Sequence, residues 1–231
     1  IMNNNDMIII DGGLGGLTTG ALLAKEGWQV TVLEKNHIVG GGLQNFSRHG
    51  IHFDTGMHIL GGFRPGKTLH RICQHLGIEQ KLRLQPVDSL CMDEIYYASD
   101  RTTYRVAEGK EGFVESFAKH FPHQRTQLQC YVKALYELAD EIDLFNLRPT
   151  GNGIPQHSDH FLWSADQFIA HYIDDERLRD VLAYMNPMYG GVAGHTPAYV
   201  HALISVLYID GTDRFAGGSQ QLATALAEVI E

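Results

Sequence analysis

The stretch IIIDGGLGGLTTG, residues 8–20, contains the residue types of a phosphate-binding turn. Such turns carry three glycines spaced G-x-G-x-x-G, which form the tight bend, admit a pyrophosphate and let the next helix pack closely. Gly13 and Gly16 occupy the second and third positions, but Asp11 stands at the first. Free N–H groups and a partial positive charge at the start of the helix would bind the phosphates. The pattern therefore predicts a phosphate-binding turn with one anomalous residue.

Asp11 places a carboxylate where it could repel those phosphates. At about 5 Å and an effective dielectric constant of about 20, repulsion from one phosphate charge costs about 3 kcal/mol. The interaction with a helix terminus stabilises a nearby charge by only about 0.3–1 kcal/mol. Aspartate tolerates unusual backbone angles and hydrogen-bonds locally, so a side chain turned onto nearby N–H groups could be accommodated. We expect a site that is impaired but recognisable.

The elements around this turn are those of a parallel βαβ unit. Residues 7–10 and 29–33 predict short apolar strands, each suited to a sheet that is buried on both faces. The helix between them carries small residues every four positions, which lets it lie close to the strands: Gly16, Gly20 and Ala24. Glu34 follows the second strand, where its carboxylate could accept hydrogen bonds from ribose hydroxyls. A βαβ unit that binds no ligand is the alternative.

A resemblance becomes specific in VLEKNHIVGGGLQNF, residues 32–46, and GIHFDTGMHILGG, residues 50–62. These segments resemble the flavin-binding N-terminal region of the phytoene desaturase and retinol saturase group of FAD-dependent oxidoreductases, relatives of the amine oxidases. In that group a Glu after the second strand precedes a Gly-Gly pair by six residues, and Glu34 and Gly40-Gly41 keep this spacing. The segment FDTGMH, residues 53–58, is closest to the retinol saturase side. Later segments match more loosely: residues 121–122, 189–191 and 217–219.

The resemblance implies bound FAD, with NAD(P) as a candidate external electron donor and a small hydrophobic, polyene-type substrate. The diphosphate would lie on the glycine turn, the ribose at Glu34, and residues 40–43 against the cofactor toward the flavin ring. The implied cofactor-binding residues are Gly13, Leu14, Gly15, Gly16, Glu34, Lys35, Gly40, Gly41, Gly42 and Leu43. Relatives often carry Arg or Cys where this chain has Gly42, so one possible contact is absent. For residues 40–42 alone, a glycine-rich surface turn is the alternative.

His58 is the candidate catalytic side chain, as a proton donor or polar anchor near the flavin ring, and a structural histidine is the alternative. Flavin enzymes leave electron transfer to the cofactor, so the protein mainly positions substrate and excludes water. Asp54 is expected to fix its loop. No metal site is predicted, since two histidine pairs lack a third ligand: His49 with His52, and His157 with His160. A further cluster could line an apolar substrate cavity or be core: Tyr184, Met185, Met188 and Tyr189.

The sequence predicts an α/β fold, with a Rossmann-like FAD-binding βαβ domain and a mostly helical α+β substrate domain. The expected boundaries are residues 2–66 for the FAD-binding part, 67–211 for the substrate or cap domain, and 212–231 for a return segment. Relatives in the group are longer, so we expect the N-terminal half of an incomplete fold. A non-catalytic remnant that serves as a binding module is one alternative, and an NAD-binding Rossmann protein, disfavoured by the GGG and FDTGMH segments, is another.

Periodicity and turn residues predict the elements of the second domain. A helix over 67–76 would end at Gly77, and residues 90–98 and 102–107 would form a hairpin. Ser164 and Gln167 form a capping box, and Ser219 is expected to cap a final helix. Further helices are expected near 177–185 and 197–209. One amphipathic stripe is expected in the core: Leu128, Tyr131, Leu135, Leu138, Ile142 and Phe145.

Composition limits the classes of partner that the protein is expected to bind. Eighteen basic residues against 27 acidic ones give a formal charge of −9, which disfavours nucleic acid and leaves no polybasic patch for a membrane. The longest apolar stretch, residues 199–209, is too short to cross a bilayer, although peripheral membrane contact is compatible with the sequence. We expect a cytoplasmic protein. The widely spaced Cys73, Cys91 and Cys130 are expected to be buried thiols.

Overall fold

The computed structural model describes residues 6–151, 153 and 155–231. The strands and α-helices in chain order are β1 (Asp6–Ile10), α1 (Leu14–Lys25), β2 (Gln29–Leu33), β3 (Asn45–Arg48), β4 (Ile51–Asp54), β5 (Leu60–Gly61), α2 (Thr68–Leu76), β6 (Leu84–Pro86), β7 (Asp93–Tyr97), β8 (Thr102–Val106), α3 (Lys110–Ala118), α4 (Arg125–Asp140), α5 (Ala165–Tyr172), α6 (Glu176–Leu182), α7 (Ala198–Ile209), β9 (Thr212–Phe215) and α8 (Gln220–Ile230). Short 3₁₀ helices lie at Gly41–Leu43, Glu79–Lys81, Pro122–Gln124 and Ala183–Tyr189.

The chain divides into two compact units. The first comprises Ile1–Pro86 with Asp213–Glu231, and the second is Val87–Thr212. The first boundary thus falls after residue 86 rather than after residue 66. Helix α2 explains the difference, because its buried Cys73 and Leu76 belong to the same core cluster as Leu17 of α1.

The first unit begins with the predicted βαβ arrangement. Strands β1 and β2 pair in parallel, with Ile8 opposite Thr31, and α1 connects them. A Cβ atom built on Gly20 would lie 3.4 Å from side-chain atoms of both Ile9 and Val30. The predicted close packing of this helix face on the strands is therefore confirmed, and the tightest contact of such a Cβ atom, 2.8 Å, would be with the Ile230 side chain of α8.

The expectation that both faces of this sheet are buried is wrong for the part of the chain described. Helix α1 packs on β2 and on α8, so Ile9 and Val30 face a helical layer. On the other face Ile8, Ile10 and Leu33 are 52%, 81% and 52% exposed. The apolar run thus correctly indicates parallel strands, but the described residues supply a covering layer for one face alone.

The rest of the first unit surrounds this βαβ arrangement. Strands β3 and β4 form a hairpin in which the rings of Phe46 and Phe53 stack with centroids 5.1 Å apart. Strand β9 lies between β5 and β6, which brings the end of the chain beside residues 60–86. Helix α8 then packs against α1. Ser219 precedes α8 but its side chain does not cap the helix, so that prediction is wrong; its hydroxyl donates instead to the Leu43 carbonyl at 3.0 Å.

The second unit contains the predicted hairpin, β7 and β8, and helices α3 to α7. The Ser164–Gln167 capping box at the start of α5 is confirmed. The predicted stripe is confirmed as core within α4: Leu128, Tyr131, Leu135 and Leu138. Its last two members, Ile142 and Phe145, lie beyond the helix, which ends at Asp140.

The cysteine prediction is confirmed in part. Cys73 is buried, Cys91 is half-buried, and Cys130 is exposed because it lies on the outer face of α4. Burial raises the pKa of the Cys73 thiol to about 11. None of the helices in the described part of the chain is both long enough and apolar enough to span a membrane.

Candidate functional site

The glycine turn joins β1 to α1, and its geometry explains its glycines. A Cβ atom built on Gly16 would lie 1.9 Å from the backbone carbonyl oxygen of Asp11, so any larger residue forces the helix away from the strand. The first helical hydrogen bond runs from the Leu17 N–H to the Gly13 carbonyl at 2.9 Å. The N–H groups of residues 14–16 therefore have no acceptor within the helix, and α1 has no side-chain cap.

Asp11 adopts a left-handed backbone conformation, with φ of +98°. Its N–H donates to the Leu33 carbonyl at 2.9 Å, which places the residue between the two strand ends. Its Oδ1 accepts a hydrogen bond of 3.0 Å from the Gly13 N–H. The side chain thus lies on a nearby backbone N–H, and this N–H belongs to Gly13, the residue that immediately precedes α1.

Glu34 lies at the end of β2 and faces the same turn. Its Oε2 accepts the Gly12 N–H at 2.9 Å, and its Oε1 accepts the Asn36 N–H at 2.8 Å. These hydrogen bonds, from Asn36 first and then Gly12, hold the pKa of the carboxyl below its usual value. A carboxylate oxygen accepts more than one hydrogen bond, so an ionised Glu34 has the capacity to accept hydrogen bonds from hydroxyl groups as well.

The GGG segment packs directly on the turn. The Gly40 N–H donates to the Gly12 carbonyl at 2.7 Å, and a Cβ atom on Gly41 would lie 3.1 Å from the Gly13 Cα. Both Gly40 and Gly41 have positive φ, +126° and +54°, which larger residues rarely adopt. The two glycine-rich segments are therefore one structural feature, although they lie far apart in the sequence.

The FDTG segment holds this arrangement from the other side. Asp54 Oδ1 accepts hydrogen bonds from the Ser219 N–H at 2.9 Å and the Ser219 hydroxyl at 3.1 Å, which confirms that Asp54 fixes its loop. The Thr55 hydroxyl donates to the Gln44 carbonyl at 2.8 Å. A Cβ atom on Gly56 would lie 2.8 Å from the Gly42 carbonyl oxygen. Asp54 thus ties β4 to the start of α8, while Thr55 and Gly56 support the GGG segment.

The other predicted site residues have different surroundings. His58 is exposed and lines a cavity of about 470 Å³ with His52, Asp54 and Arg214 among its walls. Lys35 is exposed beside Glu34. The Leu43 side chain is a core residue, 2% exposed. By contrast, Cβ atoms built on Gly15 and Gly42 would meet nothing within 4 Å, so the turn and the GGG segment each present an open side.

The two histidine pairs are engaged in local contacts. His52 Nδ1 lies 2.8 Å from the Ser47 hydroxyl, and the His157 ring stacks on Phe161 with centroids 3.8 Å apart. Within residues 6–151, 153 and 155–231, no group of three or more His, Cys, Asp or Glu side chains could hold a metal ion.

The cluster near residues 184–189 is divided between core and surface. Met185 is buried, whereas Met188 is 57% exposed. Tyr189 donates a hydrogen bond of 2.5 Å to Asn186 and lies 3.1 Å from His201 Nδ1. His201 Nε2 lies 2.6 Å from the Tyr131 hydroxyl. Sequence reasoning missed this buried network, and its one signal was a histidine within the apolar sequence of α7.

The comparisons with known proteins agree with this geometry. Residues 9–76 match the model of the NAD(P)-binding Rossmann-like domain. Human all-trans-retinol 13,14-reductase is 27% identical over 98% of this chain, and 4,4'-diapophytoene desaturase of Staphylococcus aureus strain Newman is 26% identical over 96%. A structure of putrescine oxidase bound to putrescine superposes with a TM-score of 0.65 and 20% identity over 98% of this chain. The chain spans 39%, 45% and 49% of these three proteins.

These comparisons bear on the predicted fold and on the predicted resemblance. The fold is a Rossmann-like α/β fold, as predicted, and it is shared with putrescine oxidase. The predicted resemblance to the phytoene desaturase and retinol saturase group of oxidoreductases is confirmed. The matched residues 9–76 include the turn between β1 and α1.

Proposed function

We propose that this chain carries the cofactor-binding part of an FAD-dependent oxidoreductase of the desaturase or saturase type. The observation that supports this most is the convergence of three elements on Gly12 and Gly13: the start of α1, the Glu34 carboxylate and the GGG segment. Their order along the chain is the one that the resemblance requires. The similarity to a retinol reductase and a diapophytoene desaturase supports a hydrophobic polyene substrate.

The residues present fit most of an FAD molecule. The N–H groups of Leu14, Gly15 and Gly16 would bind the diphosphate, because they have no helical acceptor and the space beside Gly15 is open. Glu34 would accept the ribose hydroxyls, and Gly40 to Gly42 would let the backbone approach the cofactor closely. Lys35 is a further contact on the exposed side of Glu34. The one residue that does not fit is Asp11.

Bound FAD would supply the hydride or electron transfer. The chain's own residues would position the cofactor and a hydrophobic substrate and exclude water from them. We assign His58 the role of polar anchor or proton donor, because its imidazole lines the 470 Å³ cavity beside Asp54. NAD(P) is the candidate external donor.

A second candidate function, a binding module that holds no flavin, is favoured by one observation. The Asp11 carboxylate accepts the Gly13 N–H at 3.0 Å and so lies beside the N–H groups of residues 14–16, where a phosphate would bind. In this alternative the turn is closed by the chain itself, and the Rossmann-like fold serves to present other surfaces.

FAD titration of the purified chain, followed by flavin absorbance and fluorescence, separates the two. We expect binding by the wild type and at least a tenfold loss in Glu34→Gln, since one charged acceptor of ribose hydroxyls is removed. Glu26→Gln, an exposed change after the end of α1, is the matched control and should bind as the wild type does. Equal FAD affinity in Glu34→Gln, or no binding of FAD by the wild type and by Asp11→Gly, would contradict the proposed function.

A further inference from the structure

Two carboxylates accept consecutive N–H groups of the glycine turn. Glu34 takes the Gly12 N–H and Asp11 takes the Gly13 N–H. Glu34 is where the resemblance expects an acid, but the second carboxylate stands where the first glycine of the turn is expected. This doubling of negative charge at one turn calls for a physical role.

The Asp11 carboxylate covers the start of α1. Both of its oxygens would lie 3.4 Å from a Cβ atom built on Gly13, so the whole group is positioned over the residue that precedes the helix. Among the described residues, no Lys, Arg or His forms an ion pair with Asp11 or Glu34. The carboxylate therefore has no ion-pair partner among these residues, and its negative charge lies beside the partial positive charge of the helix.

The backbone keeps it there. With φ of +98°, Asp11 is in a region that L residues other than Asn and Asp rarely enter, and its N–H is held by the Leu33 carbonyl. The side chain consequently projects from a fixed bend over the adjacent N–H. Release of the carboxylate requires loss of the Gly13 hydrogen bond.

We propose that Asp11 is a specificity-determining residue, an internal anion that competes with the phosphates of a dinucleotide for the start of α1. This inference rests on the proposed function and states which ligands the same site disfavours. The adenosine part of the ligand is recognised at Glu34 independently of Asp11. The diphosphate part binds only against the charge of Asp11, so affinity falls as the ligand's phosphate charge increases.

The size of the effect follows from Coulomb's law. One phosphate charge about 5 Å from the carboxylate, at an effective dielectric constant of about 20, corresponds to a loss in affinity on the order of 100-fold. Adenosine, which has no phosphate, should lose nothing. The ratio of ADP affinity to adenosine affinity is therefore the quantity that reports on Asp11.

Two substitutions separate the effect of the Asp11 charge from the effect of its oxygen atom on the Gly13 N–H. Asp11→Asn keeps the side-chain oxygen and tolerates the positive φ but removes the charge, whereas Asp11→Gly removes both charge and acceptor. Asp88→Asn is the matched control, because Asp88 Oδ1 accepts the Leu90 N–H at 2.9 Å in the same local arrangement away from the turn.

The experiment is calorimetric titration of wild type, Asp11→Asn, Asp11→Gly and Asp88→Asn with adenosine, ADP and FAD, in EDTA at fixed ionic strength. We expect Asp11→Asn to bind ADP and FAD on the order of 100-fold more tightly and adenosine within about twofold, with Asp88→Asn unchanged. Asp11→Gly should bind at least as tightly as Asp11→Asn.

Two results would overturn the proposal in distinguishable ways. If wild type and Asp11→Asn bind ADP and FAD equally, or if adenosine gains as much as ADP does, Asp11 does not act on phosphate charge and the FAD proposal stands without it. If none of the variants binds adenosine, ADP or FAD, the proposed function itself fails and this inference fails with it.

Discussion

His201 provides a test of the buried network in the second unit. The residue is 0% exposed, with Tyr131 against Nε2 and Tyr189 against Nδ1. Tyr189 has one hydroxyl proton and donates it to Asn186. Nδ1 of His201 must therefore carry the proton that Tyr189 accepts, and Nε2 must accept the proton of Tyr131. The network requires a neutral His201 with its proton on Nδ1.

The magnitude follows from the pKa. Burial lowers the pKa of His201 to about 4, against about 6.5 in an unfolded chain. As the pH falls below about 6.5, His201 binds a proton in the unfolded chain but not in the folded chain. The contribution of a neutral His201 is thus complete above that pH and is lost as the pH falls toward 4. At 1.4 kcal/mol per pH unit, the loss amounts to about 3 kcal/mol.

The assay is urea unfolding of wild type and His201→Gln at pH values between 7 and 4. The wild type should lose about 3 kcal/mol more over this interval than His201→Gln, because glutamine cannot titrate. His37→Gln, at an exposed position, is the control and should follow the wild type. An imidazole of His201 that titrates near 6.5 by NMR, or that carries its proton on Nε2, would refute the reasoning.

Two further predictions concern the first unit. Gly16→Ala should lower the free energy of unfolding by about 1–3 kcal/mol, because its Cβ would lie 1.9 Å from a backbone oxygen. Gly15→Ala should be neutral or stabilising, because a Cβ atom there would meet nothing within 4 Å. Equal thermal unfolding of the two variants would contradict this packing. Asp54→Ala should cost about 2–4 kcal/mol in denaturant unfolding, since two hydrogen bonds from Ser219 to a carboxylate are lost. An unchanged midpoint in Asp54→Ala would show that α8 is held by apolar packing instead.

Local patterns predict the βαβ unit well, because short-range rules govern it. Parallel pairing of β1 with β2 and the small-residue face of α1 follow from apolar runs and four-residue spacing. The capping box at Ser164 and the C-cap glycine Gly77 at the end of α2 are equally local, since each depends on residues within one helical turn.

Contacts between elements that lie far apart in the sequence could not be predicted from local patterns. Strand β9 lies between β5 and β6, yet its four residues, TDRF, have no period that identifies partners about 130 residues away. The Ser219 prediction failed for a related reason. A serine before a helix usually caps it, but here Asp54 from a distant strand accepts the Ser219 N–H, and the hydroxyl is shared between Asp54 and the Leu43 carbonyl.

The candidate site combines both situations. Gly13, Gly16 and Glu34 are predictable because their spacing reflects a fixed local geometry, in which a strand, a turn and a helix bring an acid beside consecutive N–H groups. The direction of the Asp11 side chain is not predictable, because it depends on a φ of +98° that the sequence permits but does not require. The same bend that lets Asp replace glycine also aims its carboxylate at the Gly13 N–H. Accommodation of Asp11 in the backbone and the opposition to a bound phosphate that we propose are thus two consequences of one conformation.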